Sequence, residues 1–206
     1  MVKWMFYFFS LSFILGCNNQ IPINDIQNIP NRIPEDEPFA KVYHPLDGTW
    51  KGDFQIFEDT VRNSKAGFNL RNISHATLDQ LPLKLVNTIQ VTQYYESENP
   101  YFQRVKIEDF YPDKGETVVS KGVNKIQGGE MWCVVQKPDE LIIHKGSSEP
   151  NNTIIWQRNE SSPQRIEYFK ETVQTNTYEI VGWGYYEGDD PSLMPKFWFY
   201  SAYQRQ

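Results

Sequence analysis

The chain has 206 residues, 39% hydrophobic and 15% aromatic, enough for one globular domain with a sizeable core. Its 20 basic and 26 acidic side chains leave a formal net charge of −6. That balance excludes a general nucleic-acid binder, which needs a basic excess to neutralise phosphates. The 13 Pro and 12 Gly are scattered, and the 13 Phe, 12 Tyr and 6 Trp favour strands over helices, which excludes a collagen, a coiled coil and a polytopic membrane protein.

The N-terminus reads MVKWMFYFFSLSFILGCNNQ. Lys3 gives a positive start, and the apolar stretch from Trp4 to Leu15 is broken only by Ser10 and Ser12. It is shorter than the roughly 20 residues of a spanning helix. It ends in Ile14-Leu15-Gly16-Cys17, which resembles the bacterial lipobox: an aliphatic residue three positions before a cysteine, with a small residue just before it. The resemblance implies a signal peptide over 1–16, a diacylated Cys17 thiol and an acylated new amino terminus. The alternative is an ordinary secretory signal with an incidental cysteine. Loss of Lys3 leaves 19 basic against 26 acidic residues, a charge of −7. Acyl chains bury methylenes at about 0.8 kcal/mol each, so two or three anchor the chain without a spanning helix. In Gram-negative lipobox proteins an Asp after the cysteine often signals inner-membrane retention, so Asn18 points to the outer membrane if the envelope is of that type. Cys133 is then the one thiol left, no intramolecular disulfide can form, and the core alone must hold the fold.

Residues 17–45 follow as the lipidated cysteine and a stretch rich in Pro and Asn, with isolated Ile. No helical or strand period survives there, and the prolines interrupt any regular helix. The expectation is a tether holding the domain off the membrane, or a segment whose Ile residues pack along the domain surface.

The domain is expected over 46–206. Its first strand, Gly48 to Phe57, alternates Trp50, Phe54 and Ile56 against Lys51, Asp53 and Gln55. Residues 59–82 are the one connection with room for a helical turn or a long lid. Nine further segments follow, at 84–95, 101–111, 116–126, 130–136, 140–145, 153–158, 164–172, 177–187 and 196–205. Turn-forming residues separate them, among them Asn99-Pro100, Pro112-Asp113-Lys114-Gly115, Gly128-Gly129 and Ser162-Pro163. Short β segments at this spacing predict an all-β, antiparallel barrel of about eight to ten strands, or a sandwich.

The first strand opens on Gly48-x-Trp50 and the last closes on Arg205. This resembles the lipocalin and wider calycin barrels, in which a basic residue near the end of the last strand stacks over the Trp where the barrel closes. The resemblance implies that fold, with Trp50 and Arg205 as the closing pair. A second resemblance is local. Asn99-Pro100-Tyr101-Phe102-Gln103-Arg104-Val105 is similar to the Pro-Tyr-Arg-Gln-Arg-Val segment of T-type phycobiliprotein chromophore lyases, with Gln93-Tyr94-Tyr95 leading into it. It implies Tyr101 and Arg104 as site positions for a lyase-like or isomerase-like activity on a tetrapyrrole-type substrate. Position 102 is Phe where that family has Arg, and the family's later motifs have no counterpart.

His44, His75 and His144 are too scattered for a metal site, and no nucleophile elbow or phosphate loop occurs. Cys133, between Trp132 and Val134, reads as a small core residue. Glu187, Asp189 and Asp190 read as a solvated hairpin loop. The aromatic load in the strands carries more information. A barrel of this size is filled by side chains or holds one small ligand. Tyr101, Arg104, Trp132, Trp156 and Trp183 are the candidate ligand-binding residues, for an apolar molecule with an acidic edge or a tetrapyrrole. If Arg104 faces inward, Glu108 or Glu167 is its expected partner; otherwise it snorkels outward. The functions that follow are a ligand-binding envelope lipoprotein, a chromophore-lyase-like enzyme, or a structural lipoprotein with a filled barrel.

Overall fold

The computed structural model describes residues 20–206, so Cys17 and the lipobox lie outside the described residues. Ten strands form: β1 (Gly48–Asp59), β2 (Leu83–Asn99), β3 (Phe102–Tyr111), β4 (Glu116–Ile126), β5 (Met131–Gln136), β6 (Leu141–Glu149), β7 (Thr153–Ser161), β8 (Gln164–Val173), β9 (Thr177–Tyr186) and β10 (Phe197–Arg205). Each pairs antiparallel with its neighbours in sequence, and β10 returns to β1, so the sheet closes into a barrel with no free edge. The ten segments expected from alternation and turn chemistry are these ten strands. β2, β6 and β7 run on through polar residues such as Glu96, Ser148 and Asn159, because the neighbouring strand continues the ladder beside them.

The lower end carries the start of β1, the end of β10 and the hairpins β2–β3, β4–β5, β6–β7 and β8–β9. Trp50 is fully buried there, opposite Arg205 in the β1–β10 register. The Arg205 guanidinium lies 4.1 Å from the Trp50 ring centroid. It donates to the backbone oxygens of Asp47, Pro45 (3.0 Å) and Thr175 (3.0 Å), while the indole N–H of Trp50 donates to Leu46 at 2.6 Å. Gly48 serves this arrangement twice. Its φ of +119° is hard for any other residue, and a Cβ there would stand 2.8 Å from Arg205 Nη1.

The Pro/Asn-rich segment packs on the barrel from residue 20 onward rather than standing off from it. Ile23 and Ile26 lie against the outward-facing Phe102, Val123 and Val134. Lys125, buried beneath the segment, donates to Asp25 O at 2.8 Å; burial lowers its pKa, which the nearby Asp25 carboxylate only partly offsets. Asp36, in a 3-10 turn over Pro34–Phe39, accepts from Gly129 N at 2.8 Å. Tyr43 and Leu46 then enter the lower end as buried core. Isolated Ile residues suffice because the exposed strand face supplies the rest of the apolar surface.

The connection between β1 and β2 covers the upper outer face of β8–β10. It includes one helical turn, α1 (His75–Leu78). Ile73 and Leu78 pack with Tyr168, Trp183 and Trp198. The barrel is therefore apolar on both faces at two places.

Trp50→Ala is expected to cost about 3–5 kcal/mol in urea unfolding, since the fully buried ring is packed between Tyr178 and the anchored Arg205 guanidinium. A cost below about 1 kcal/mol contradicts this account of the closure.

Candidate functional site

Above the Trp50 layer the barrel encloses a cavity of about 230 Å³. Its walls are mainly apolar, with Phe54, Ile89, Val91, Val105, Ile107 and Ile180 among them, and it runs up to Tyr111 and Lys137 near the upper end. It exceeds the roughly 150 Å³ that admits benzene and falls below the roughly 300–1,000 Å³ of sites for drug-sized molecules. Such a space suits one or two rings. Four linked pyrroles exceed the enclosed part.

Trp156 forms one wall of this space. Its ring lies flat on the barrel because Gly146, its β6 partner, has no Cβ; one built there would meet the indole at 2.5 Å. The ring stacks on Tyr43 below, centroids 6.1 Å apart and planes at 15°. Its Nε1–H donates to Glu171 Oε2 at 2.9 Å. Glu171 borders the cavity and is part-exposed to it. Burial pushes its pKa from 4.5 up to about 7, with the Tyr178 hydroxyl and Trp156 N–H only partly offsetting the cost. Tyr178 is itself buried, and its hydroxyl lies close enough to Glu171 to favour the carboxylate without completing a well-formed hydrogen bond. Cys133 faces the same space, and burial, with the Glu171 charge, raises its thiol well above the ordinary value.

Amides complete the floor. Gln103 Nε2 donates to Tyr43 O (2.8 Å) and Asp47 Oδ1 (2.9 Å), both pure acceptors, which fixes the orientation of that amide. Its Oε1 accepts from Asn124 Nδ2 at 2.9 Å, so Asn124 Oδ1 is left over. That oxygen is buried and unpartnered, on a residue that borders the cavity.

Higher on the inner wall, on β6–β9, the charges pair among themselves. Arg158, buried, lies 2.9 Å from both Glu140 and Glu160, and Arg165 also binds Glu140. His144 Nε2 lies 3.3 Å from Glu167, which also accepts from Tyr186 at 2.9 Å. Burial raises the Glu167 pKa, but His144, Tyr186 and Arg158 together bring it below the ordinary value.

Of the candidate ligand residues, Trp156 alone borders the cavity. Trp132 and Trp183 point outward: Trp132 packs under the N-terminal segment, and Trp183 donates to Leu70 O at 2.8 Å beneath the β1–β2 connection. Tyr101 sits in the β2–β3 turn, its hydroxyl donating to Glu37 at 2.9 Å. Arg104 also points outward. Its partner is Glu98 at 2.6 Å, not Glu108 or Glu167, and it donates to Ile26 O (2.6 Å) and Gln27 O (3.0 Å). It is a clamp on the N-terminal segment. Tyr101 and Arg104 therefore do not meet at a ligand site. Alternation in 164–172 put Glu167, Phe169 and Glu171 on one face, but Ile166 and Tyr168 on the other made the inner side undecidable.

No protein-family model matches the chain, and no curated protein does. Among solved structures it is similar to a redesigned beta barrel at 14% identity and a TM-score of 0.35, covering 81% of this chain and 96% of that one. It is also similar to a de novo designed fluorescence-activating beta barrel at 12% identity and 0.37, covering 81% and 99%, and to a redesigned barrel bound to DFHBI at 11% and 0.35, covering 78% and 99%.

The raised Glu171 pKa has a signed consequence. The folded chain keeps a proton that the unfolded chain releases above 4.5, so this contribution to stability is full at low pH and is lost as pH rises to about 7. Between about pH 5 and pH 8, wild type is expected to lose on the order of 3 kcal/mol relative to Glu171→Gln in urea unfolding. A difference that does not change with pH contradicts the enclosed carboxyl.

Proposed function

We propose that the protein binds one compact, mostly apolar molecule inside the barrel while acyl chains on Cys17 hold it at a membrane of the cell envelope. The observation that carries the binding reading is the cavity of about 230 Å³, apolar in its walls but with Glu171 and Asn124 at depth. A barrel built only to stand as a scaffold gains nothing from burying a carboxyl against its core, which costs stability at neutral pH.

The anchor reading rests on the lipobox sequence. It gains a geometric consequence from the packed N-terminal segment. Gln127, in the β4–β5 turn at the lower end, donates to Ile21 O at 2.6 Å. Four residue steps from Cys17 to Ile21 span at most about 14 Å. An acylated Cys17 would hold the lower end close to the bilayer, with the upper end of the cavity turned away.

Native mass spectrometry of the full chain, taken in detergent from its own host, is expected to show a retained small molecule. Indane is expected to raise the melting temperature by mass action, and Val91→Phe, which fills the cavity, to abolish the rise. A chain that retains nothing and does not respond to indane contradicts the binding reading. Cys17→Ser is expected to lose acyl labelling and to leave the membrane fraction or stall as precursor; unchanged partitioning and mature mass contradict the anchor.

A further inference from the structure

Two side-chain oxygens deep in the barrel lack a full set of donors. Glu171 offers a carboxylate oxygen that Trp156 does not occupy, and Asn124 Oδ1 is an acceptor with no donor. The orientation of Asn124 is settled by the chain of amides that ends on Tyr43 O and Asp47, so this oxygen cannot be exchanged for the N–H₂ end. The residues that carry them stand on β4 and β8 and line the same space, but Asn124 Oδ1 has essentially no surface open to it, so Glu171 is the acceptor that a ligand meets. On the inner wall Arg158 is committed to Glu140, Glu160 and Glu167, and Lys137, at the upper end of the cavity, makes no ion pair with Glu171. Among the described residues Glu171 takes part in no ion pair. The rings around it, Trp156, Tyr95 and Tyr203, present aromatic surface to the cavity, which favours a positive charge there.

We infer that the molecule the barrel takes is a compact apolar amine, bound as its ammonium against the Glu171 carboxylate. This deepens the small-molecule reading and rests on it. A buried carboxylate is stable only when a cation and hydrogen bonds match it, and Glu171 has the Trp156 N–H and the nearby Tyr178 hydroxyl but no cation in an ion pair. A ligand carrying an acid would meet the Glu171 carboxylate and be repelled there. A ligand carrying only a carbonyl would bond the protonated Glu171 but bring no cation to the aromatic surface around it. Binding of the ammonium displaces the carboxyl proton. The other titratable groups against Glu171 are Tyr95 on β2, Cys133 on β5, Tyr178 on β9 and Tyr203 on β10, all kept neutral near pH 8 because burial raises their pKa values. His144, Asp109 and Lys137 border the cavity further up.

The test compares three probes of one shape, indane, 2-aminoindane and 2-indanone, by calorimetric titration of the full chain in detergent near pH 8. The amine is expected to bind about tenfold or more tightly than indane and more tightly than the ketone. It is expected to release a proton, read from the dependence of the heat on buffer, to the extent that Glu171 is protonated beforehand. Glu171→Gln is expected to erase the amine's advantage and leave indane within about threefold. If indane binds and the amine does not exceed it, or the amine keeps its advantage in Glu171→Gln, the amine assignment is overturned while the cavity reading stands. If the ketone exceeds the amine, Glu171 acts as a donor and the assignment is likewise overturned. If none of the three binds, the small-molecule reading falls and takes the assignment with it. The comparison within wild type decides the matter even if the variant fails to fold.

Discussion

The guanidinium of Arg205 ties together four parts of the chain at the lower end of the barrel. It lies over Trp50 at the start of β1, donates to Pro45 and Asp47 before that strand, reaches Thr175 in the β8–β9 turn, and is itself the last residue of β10. Without a group that is both planar and rich in donors, the first and last strands would still pair. The backbone oxygens around the barrel mouth would then be left unsatisfied, and Trp50 would have water on one side. Closure at this point fixes the lower layer of Trp50, Tyr178, Tyr95 and Tyr203, in which Trp50 and Tyr95 meet Tyr178 edge to face and Tyr203 packs against it at a tilt. Everything above stands on that floor, including the carboxyl of Glu171.

A ten-stranded barrel is wide, and the chain spends its largest side chains outside as well as inside. Trp132, Trp183 and Trp198 all face outward and are covered by segments that contribute few residues of their own. The N-terminal segment is held by Arg104 and Lys125, long cations whose donors saturate carbonyls of a stretch that cannot form a helix. Cross-strand clearance inside comes from glycine, with Gly146 yielding its place to the indole of Trp156. The interior is thus left with unfilled space between the aromatic floor and the paired charges of Arg158, Glu140 and Glu167.

Strand count, order and the closing pair were legible in the sequence because turn residues and period-two alternation act locally, and because Gly48-x-Trp50 and Arg205 mark the two ends. The interior was not. Alternation reveals which face is buried only when the other face is wet, and here Tyr168 and Trp183 are buried outside while Phe169 and Glu171 lie inside. Arg104 read as a site residue because its partners, the carbonyls of Ile26 and Gln27, lie in a proline-rich stretch with no pattern to place it. Asn124 is anonymous in sequence. Its meaning depends on an amide chain through Gln103 to Tyr43 and Asp47 that only three-dimensional packing assembles.

The account turns on a carboxyl enclosed with the aromatic core and left without a cation. The most direct measurement is a carbon-13 NMR titration of the Glu171 side-chain carboxyl in the full chain, assigned by its loss in Glu171→Gln. A midpoint near 7, well above the ordinary 4.5, is the result this structure requires. A midpoint at or below the ordinary value would mean that Glu171 reaches water or a cation, and the enclosed site would not exist.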